Sequence, residues 1–181
     1  MPSKDFKTHG FRTSRSRSPL CKIDSMGILA FVLALPLSVP FVPQDKDACA
    51  AASLAMVLRY WNAPVVEGEI AKALIEPELH GIKGSRLTAF ARERGMDAFA
   101  YEGDATQLRT FVSKGRPLIV ALKVGRDQYH DVVVVGFDDA QGAVIVNDPA
   151  LGPARPIPQS TFEKRWAGAG HWTLLVLPAS K

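Results

Sequence analysis

Beyond residue 38 the chain places its apolar residues at helical spacing first and crowds them into short β-branched runs afterwards, with the change near residue 117. The periodicity predicts a helix over 48–61, with Asp47 as N-cap and Leu54, Val57, Leu58 and Trp61 forming a stripe that faces the core. A second helical piece lies near 67–74, after which Pro77, Gly81 and Gly84 break the pattern into a loop. Ser85 is the expected cap of a third helix that stops at Gly95, a residue suited to a left-handed C-terminal position. A short strand over 96–101 follows, and Asp104 opens a fourth helix that closes at Gly115.

The later segments PLIVALK (117–123), HDVVVVGF (130–137) and AVIVND (143–148) are rich in Val and Ile and bounded by turn residues, as strands are. The link over 138–142 predicts that the last two form an antiparallel hairpin. STFE (160–163) reads as a capping box for a short helix through Trp166, and a strand over 171–177 ends the pattern. The expected class is α+β, an N-terminal helical half packed on a C-terminal antiparallel sheet.

The first 25 residues are polar and basic without apolar period, and read as an arm. Ten uncharged residues (26–35) come next, stopped by Pro36; this is the length of a signal-peptide core and half the ~20 residues of a membrane-spanning helix. Ala34 and Ser38 fit a secretory signal, whereas Pro36 makes a poor cleavage site, so removal and retention as an anchor both stand. So do a buried segment of the domain and a true start at Met26. The expected division is an arm with a signal or anchor over 1–38 and a domain over 39–181, exported or held at a membrane through 26–38.

Composition narrows the function. At 181 residues, 47% hydrophobic and 22% charged, the chain has the size and mixture of a single globular domain. Its net charge of +4 resides wholly in residues 1–25, and the remaining acids and bases cancel, so the domain lacks the positive field of a nucleic-acid binder. Two cysteines, Cys21 and Cys49, make no disulfide framework, although one bridge between them is possible. No C-x-x-C, H-E-x-x-H or phosphate-loop pattern occurs, so no metal or cofactor is expected.

Cys49 lies in the first turn of the first helix, where unpaired amides and the helix dipole favour a negative charge. A free cysteine, with pKa ~8.5, needs a histidine partner to act as a nucleophile at neutral pH. His9 lies in the arm, His80 in the Gly/Pro-bounded loop and His171 at the start of the last strand; His130 begins a strand. If the hairpin pairs Phe137 with Ala143, Asp148 stands opposite Val132, and His130 and Asp148 become diagonal neighbours on one face, roughly 7–8 Å apart at the backbone. The carboxylate could then hold the imidazole by its Nδ1–H. A slip of one residue would bring Asn147 to that face instead. Gln44, five residues before Cys49, could donate to a developing oxyanion.

Taken together, VPFVPQ (39–44), Cys49, ASLAMVLRYW (52–61), YHDVVVVGFD (129–138), VNDPA (146–150), Phe162, Trp166 and HWTL (171–174) resemble the bacteriocin-processing, double-glycine leader peptidases, a papain-like cysteine peptidase family. The resemblance runs over about 39–178 in the expected order. It implies Cys49 as nucleophile, His130 as general base and later acid, Asp148 as orienter and Gln44 as oxyanion donor, with a peptide or protein as substrate.

Two departures accompany it. Ala50 stands where the family usually has glycine, so a methyl group is expected near the oxyanion site. The membrane and ATP-binding domains of the family's transporters do not follow, which implies a stand-alone peptidase whose substrate need not be a bacteriocin leader. The expected function is thiol-dependent peptide hydrolysis through an acyl-enzyme. The alternatives are a non-catalytic peptide-binding module, amide exchange or deamidation by the same triad, and an α+β domain without an active site. The loops over 76–84 and 124–129 are expected to wall the pocket, with no readable specificity code.

Overall fold

A computed structural model of the protein describes residues 35–63 and 65–180. The basic arm with His9 and Cys21, and the apolar run as far as residue 34, lie outside the described residues.

Helices α1 (Cys49–Tyr60), α2 (Glu67–Leu74) and α3 (Gly84–Glu93) precede strand β1 (Met96–Glu102) and helix α4 (Ala105–Ser113). Strands β2 (Leu118–Lys123), β3 (Tyr129–Asp138), β4 (Ala143–Asp148) and β5 (Gly152–Pro158), helix α5 (Gln159–Ala167) and strand β6 (Trp172–Pro178) complete the order. All the strands join one antiparallel sheet, ordered β1-β6-β2-β3-β4-β5.

The class is α+β, as the patterning predicts, but the helices cover both faces of the sheet. Val133, Val135, Ile119, Leu174 and Val176 pack with α1, α2 and α3, and Val132, Val134, Val120 and Leu175 pack with α4 and α5. This explains why β2, β3 and β4 read as unbroken Val/Ile runs, since a strand covered on both faces has no solvent side to carry polar residues. Helix α1 is likewise buried from Ala50 through Leu58, more completely than a single apolar stripe predicts. Its far end is tied down by Tyr60 Oη donating to the Gly115 carbonyl (2.9 Å) and Trp61 Nε1 donating to that of Val176 (2.8 Å).

Three caps differ from expectation. Asp47 does not cap α1: its backbone is left-handed (φ 59°), Ala48 takes the cap position, and the Asp47 carboxylate lies 3.2 Å from His80 Nδ1. Ser85 lies inside α3, which begins at Gly84 with Lys83 in the cap position; a Cβ at Gly84 would come within 2.6 Å of the Trp172 indole. Helix α5 begins at Gln159, ahead of the Ser160 box, because the Gln159 amide is already satisfied by the Gly142 carbonyl (2.8 Å). Asp104 does cap α4, accepting from the Gln107 amide at 2.9 Å, and Gly95 and Gly115 take positive φ after their helices.

Strand β5 is not foreseen in the patterning. Its sequence GPARPIP carries three prolines, yet β5 is an edge strand paired only to β4, where missing amide donors do no harm.

Candidate active site

The β3-β4 hairpin sets the site. At the turn end Asp138 pairs with Ala143 and Phe137 with Val144, one residue off the symmetric register; a bulge between Val134 and Gly136 then restores it, so that Val133 pairs with Asn147. The bulge is held from outside by Leu37, whose amide donates to the Val135 carbonyl at 2.7 Å. Gly136 is needed there because a Cβ would stand 3.1 Å from Pro36 Cα.

The restored register puts His130 and Asp148 on one face. Nε2 of His130 lies 2.8 Å from Asp148 Oδ1, in the opposite ring sense to the expected Nδ1 contact, because the ring reaches back along the strand to its diagonal neighbour. Nδ1 is thereby left for the sulfur. The same Asp148 oxygen accepts from the amides of Ala150 (2.9 Å) and Leu151 (3.2 Å), fixing the carboxylate. Asn147 faces away: its Nδ2 donates to the Val39 carbonyl (3.1 Å) and its Oδ1 accepts from the Ala154 amide (3.0 Å).

Electrostatics match this geometry. Burial works against a charged imidazole at His130, but hydrogen bonds and attraction from Asp148 and Cys49 prevail, lifting its pKa from 6.5 to about 10. At Asp148 burial opposes ionisation, and the His130 contact with the two loop amides outweighs it, holding the carboxyl below its ordinary range. Cys49 is the first residue of α1, half-buried and a free thiol, at a helix end without a side-chain cap. Gln44 is anchored by its amide to the Pro149 carbonyl (3.0 Å), just past Asp148, and its buried Oε1 has no partner.

Gln44, Cys49, His130 and Asp148 all line one cleft of about 690 Å³, into which both flanking loops contribute. Leu79, Val124, Tyr129 and Leu151 on its walls are exposed, four of the seven large hydrophobic side chains most open to solvent among the described residues. Ala50, the second residue of α1, is 2% exposed and packs into the core, and it does not line the cleft.

One site residue was not singled out by the sequence. Asp131 Oδ2 lies 4.0 Å from Cys49 Sγ, while the Asp131 carbonyl accepts from Ser53 Oγ at 3.1 Å. Burial pushes its carboxyl up to about 6, opposed by the charge of His130. The signal was available, since Asp131 is the one acid at the head of an otherwise apolar run.

The model of the Peptidase_C39 like family matches residues 36–173. No curated protein matches the sequence. Among solved structures, a double glycine motif protease from an AMS/PCAT transporter, in complex with the leader peptide, is 27% identical with TM-score 0.66, covering 82% of this chain and 97% of that one. The peptidase domain of Streptococcus ComA, a bi-functional ABC transporter involved in a quorum sensing pathway, is 19% identical with TM-score 0.66, covering 78% and 99%. The N-terminal peptidase C39 like domain of a toxin secretion ATP-binding protein from Vibrio parahaemolyticus is 18% identical with TM-score 0.57, covering 75% and 100%.

Proposed function

The chain belongs to the Peptidase_C39 like family, and from that premise we propose that it is a thiol-dependent peptidase acting through Cys49, His130 and Asp148. The observation that carries the reading is the meeting of these side chains in one cleft, with the His130–Asp148 contact at 2.8 Å.

In this reading His130 Nδ1 takes the proton of Cys49, and the imidazolium, retained at neutral pH by its raised pKa, favours the thiolate. The sulfur attacks the carbonyl carbon of the peptide bond. Orphan amides of the first turn of α1, with the Gln44 side chain, stabilise the oxyanion, each such donor contributing about 3 kcal/mol. His130 then protonates the departing amine, leaving an acyl group on Cys49. Water, deprotonated by His130, releases the acid and restores the thiol. Asp148 positions the ring throughout. A peptide substrate is supported by the exposed apolar walls of the cleft and by the leader peptide bound to the related double glycine motif protease.

A panel of Gly-Gly-containing peptides tests the proposal. Wild-type protein is expected to cleave at least one, Cys49→Ala to cleave none, and His130→Ala to lose roughly 10²–10⁴-fold in kcat/KM. Cleavage that persists in Cys49→Ala overturns it.

A further inference from the structure

Beside the cleft lies a pocket of about 250 Å³, below the roughly 300–1,000 Å³ of a typical small-molecule site and suited to one side chain. It shares Ile82, Tyr129 and Asp131 with the cleft and so opens from it. Leu87, Ala121 and Trp172 supply apolar wall, and Asp131 is its only charged lining residue.

The Asp131 carboxylate has no cation bonded to it, and the nearby charge of His130 offsets its burial only in part. None of the ion pairs among the described residues includes it, and the neighbouring His130 is committed to Asp148. The link from α1 through Ser53 uses the Asp131 backbone carbonyl, which leaves the carboxylate with the Cys49 thiol as its hydrogen-bond donor. A half-buried carboxylate outside any ion pair is costly, and costlier once the Cys49 thiol that donates to it at 4.0 Å gives up its proton. An occupant that cancels both costs carries positive charge at the end of an apolar stem, and aromatic rings such as Trp172 and Tyr129 favour such a cation.

We propose that this pocket is a specificity subsite for a lysine or arginine side chain of the substrate peptide, with Asp131 as the residue that recognises its charge. The inference rests on the peptidase reading of the same cleft and adds a selection that the catalytic side chains do not make. Asp131 lies close enough to Cys49 Sγ that the cationic residue flanks the scissile bond. Its charge also offsets the carboxylate that opposes the thiolate, so the right substrate favours both binding and the chemical step.

The test is a set of Gly-Gly-containing peptides with Lys, its uncharged analogue norleucine, or Glu at each flanking position in turn. At one position Lys is expected to exceed norleucine by roughly tenfold or more in kcat/KM, with Glu weakest. In Asp131→Asn, checked for native circular dichroism, Lys and norleucine are expected to reach parity. Parity in the wild-type protein overturns the subsite, as does a Lys preference that survives Asp131→Asn. If no peptide is cleaved, the peptidase reading fails by itself; affinities of the same peptides for Cys49→Ala protein, measured by fluorescence anisotropy, then decide the subsite by the same comparison.

Discussion

Between His130 and Asp148, each partner's pKa moves toward the form that favours the ion pair, and the consequence for stability has a definite sign. His130 is raised from 6.5 to about 10, so its contribution is full below pH 6.5 and is lost as the pH climbs through 10. Asp148 is lowered from 3.8, so its contribution is present above the ordinary carboxylate range and is lost as the pH falls through its depressed value. The pair therefore stabilises the fold across the interval between. Asp148→Asn is expected to cost about 1–3 kcal/mol at pH 7, a deficit that shrinks at acid pH and again above pH 10. Thermal melts followed by circular dichroism at a series of pH values check this; a deficit that does not vary with pH would count against the pair. Strand alternation suffices to bring His130 and Asp148 within reach, whereas Cys49 and Gln44 stood out only by their place at the start of the first helix. The ring sense of His130 was not legible in the sequence, because which nitrogen meets Asp148 depends on side-chain rotation about a diagonal pair. Asp131 was passed over because its partner, Cys49, lies 82 residues away.

The β3-β4 hairpin shows how one element positions the chemistry. Counting from a symmetric turn yields the correct pairing near His130 for a reason the count does not contain: the turn is one residue out, and the bulge at Val135 corrects it. The close approach of Pro36 to Gly136 and the Leu37 hydrogen bond hold that bulge. Gly136→Ala should therefore destabilise the protein by about 1–3 kcal/mol. Gly68 is exposed inside α2, with nothing within 4 Å of the place a methyl group would occupy, and should gain up to about 1 kcal/mol on conversion to Ala. Urea denaturation of both variants checks the contrast, and an unchanged midpoint for Gly136→Ala would sink the account of the bulge. The helix caps were less legible than the helices. Asp47 and Ser85 have suitable side chains, but Asp47 has a left-handed backbone and Ala48 and Lys83 take the cap positions instead.

In the whole molecule, two hydrophobic clusters share one sheet, and neither face can be lost without exposing the other side of β2 and β3. The described domain is accordingly expected to unfold in a single transition. Trp166, fully buried against the α5 face with its Nε1 donating to the Trp172 carbonyl at 3.2 Å, offers the test. Trp166→Ala should cost about 3–5 kcal/mol, with the urea midpoint falling equally by far-ultraviolet circular dichroism and by fluorescence of the remaining tryptophans. Separate midpoints for the two signals would refute the coupling. On one face α1 packs against β3, and the cleft is lined by the first residue of α1 together with residues of the β3-β4 hairpin.

Local chemistry determined most of the elements by itself: the 3.6-residue and β-branched patterns set the helices and central strands, and residue types with strand alternation singled out Cys49, His130 and Asp148. Tertiary structure alone decided the proline-bearing edge strand β5, the second layer of helices, the bulge at Val135 and the carboxylate of Asp131 beside the sulfur. The division follows from range. Periodicity and capping chemistry act between residues a few positions apart, whereas an edge, a bulge held by a distant segment or a charge met across a cleft exists only once remote parts of the chain have packed together.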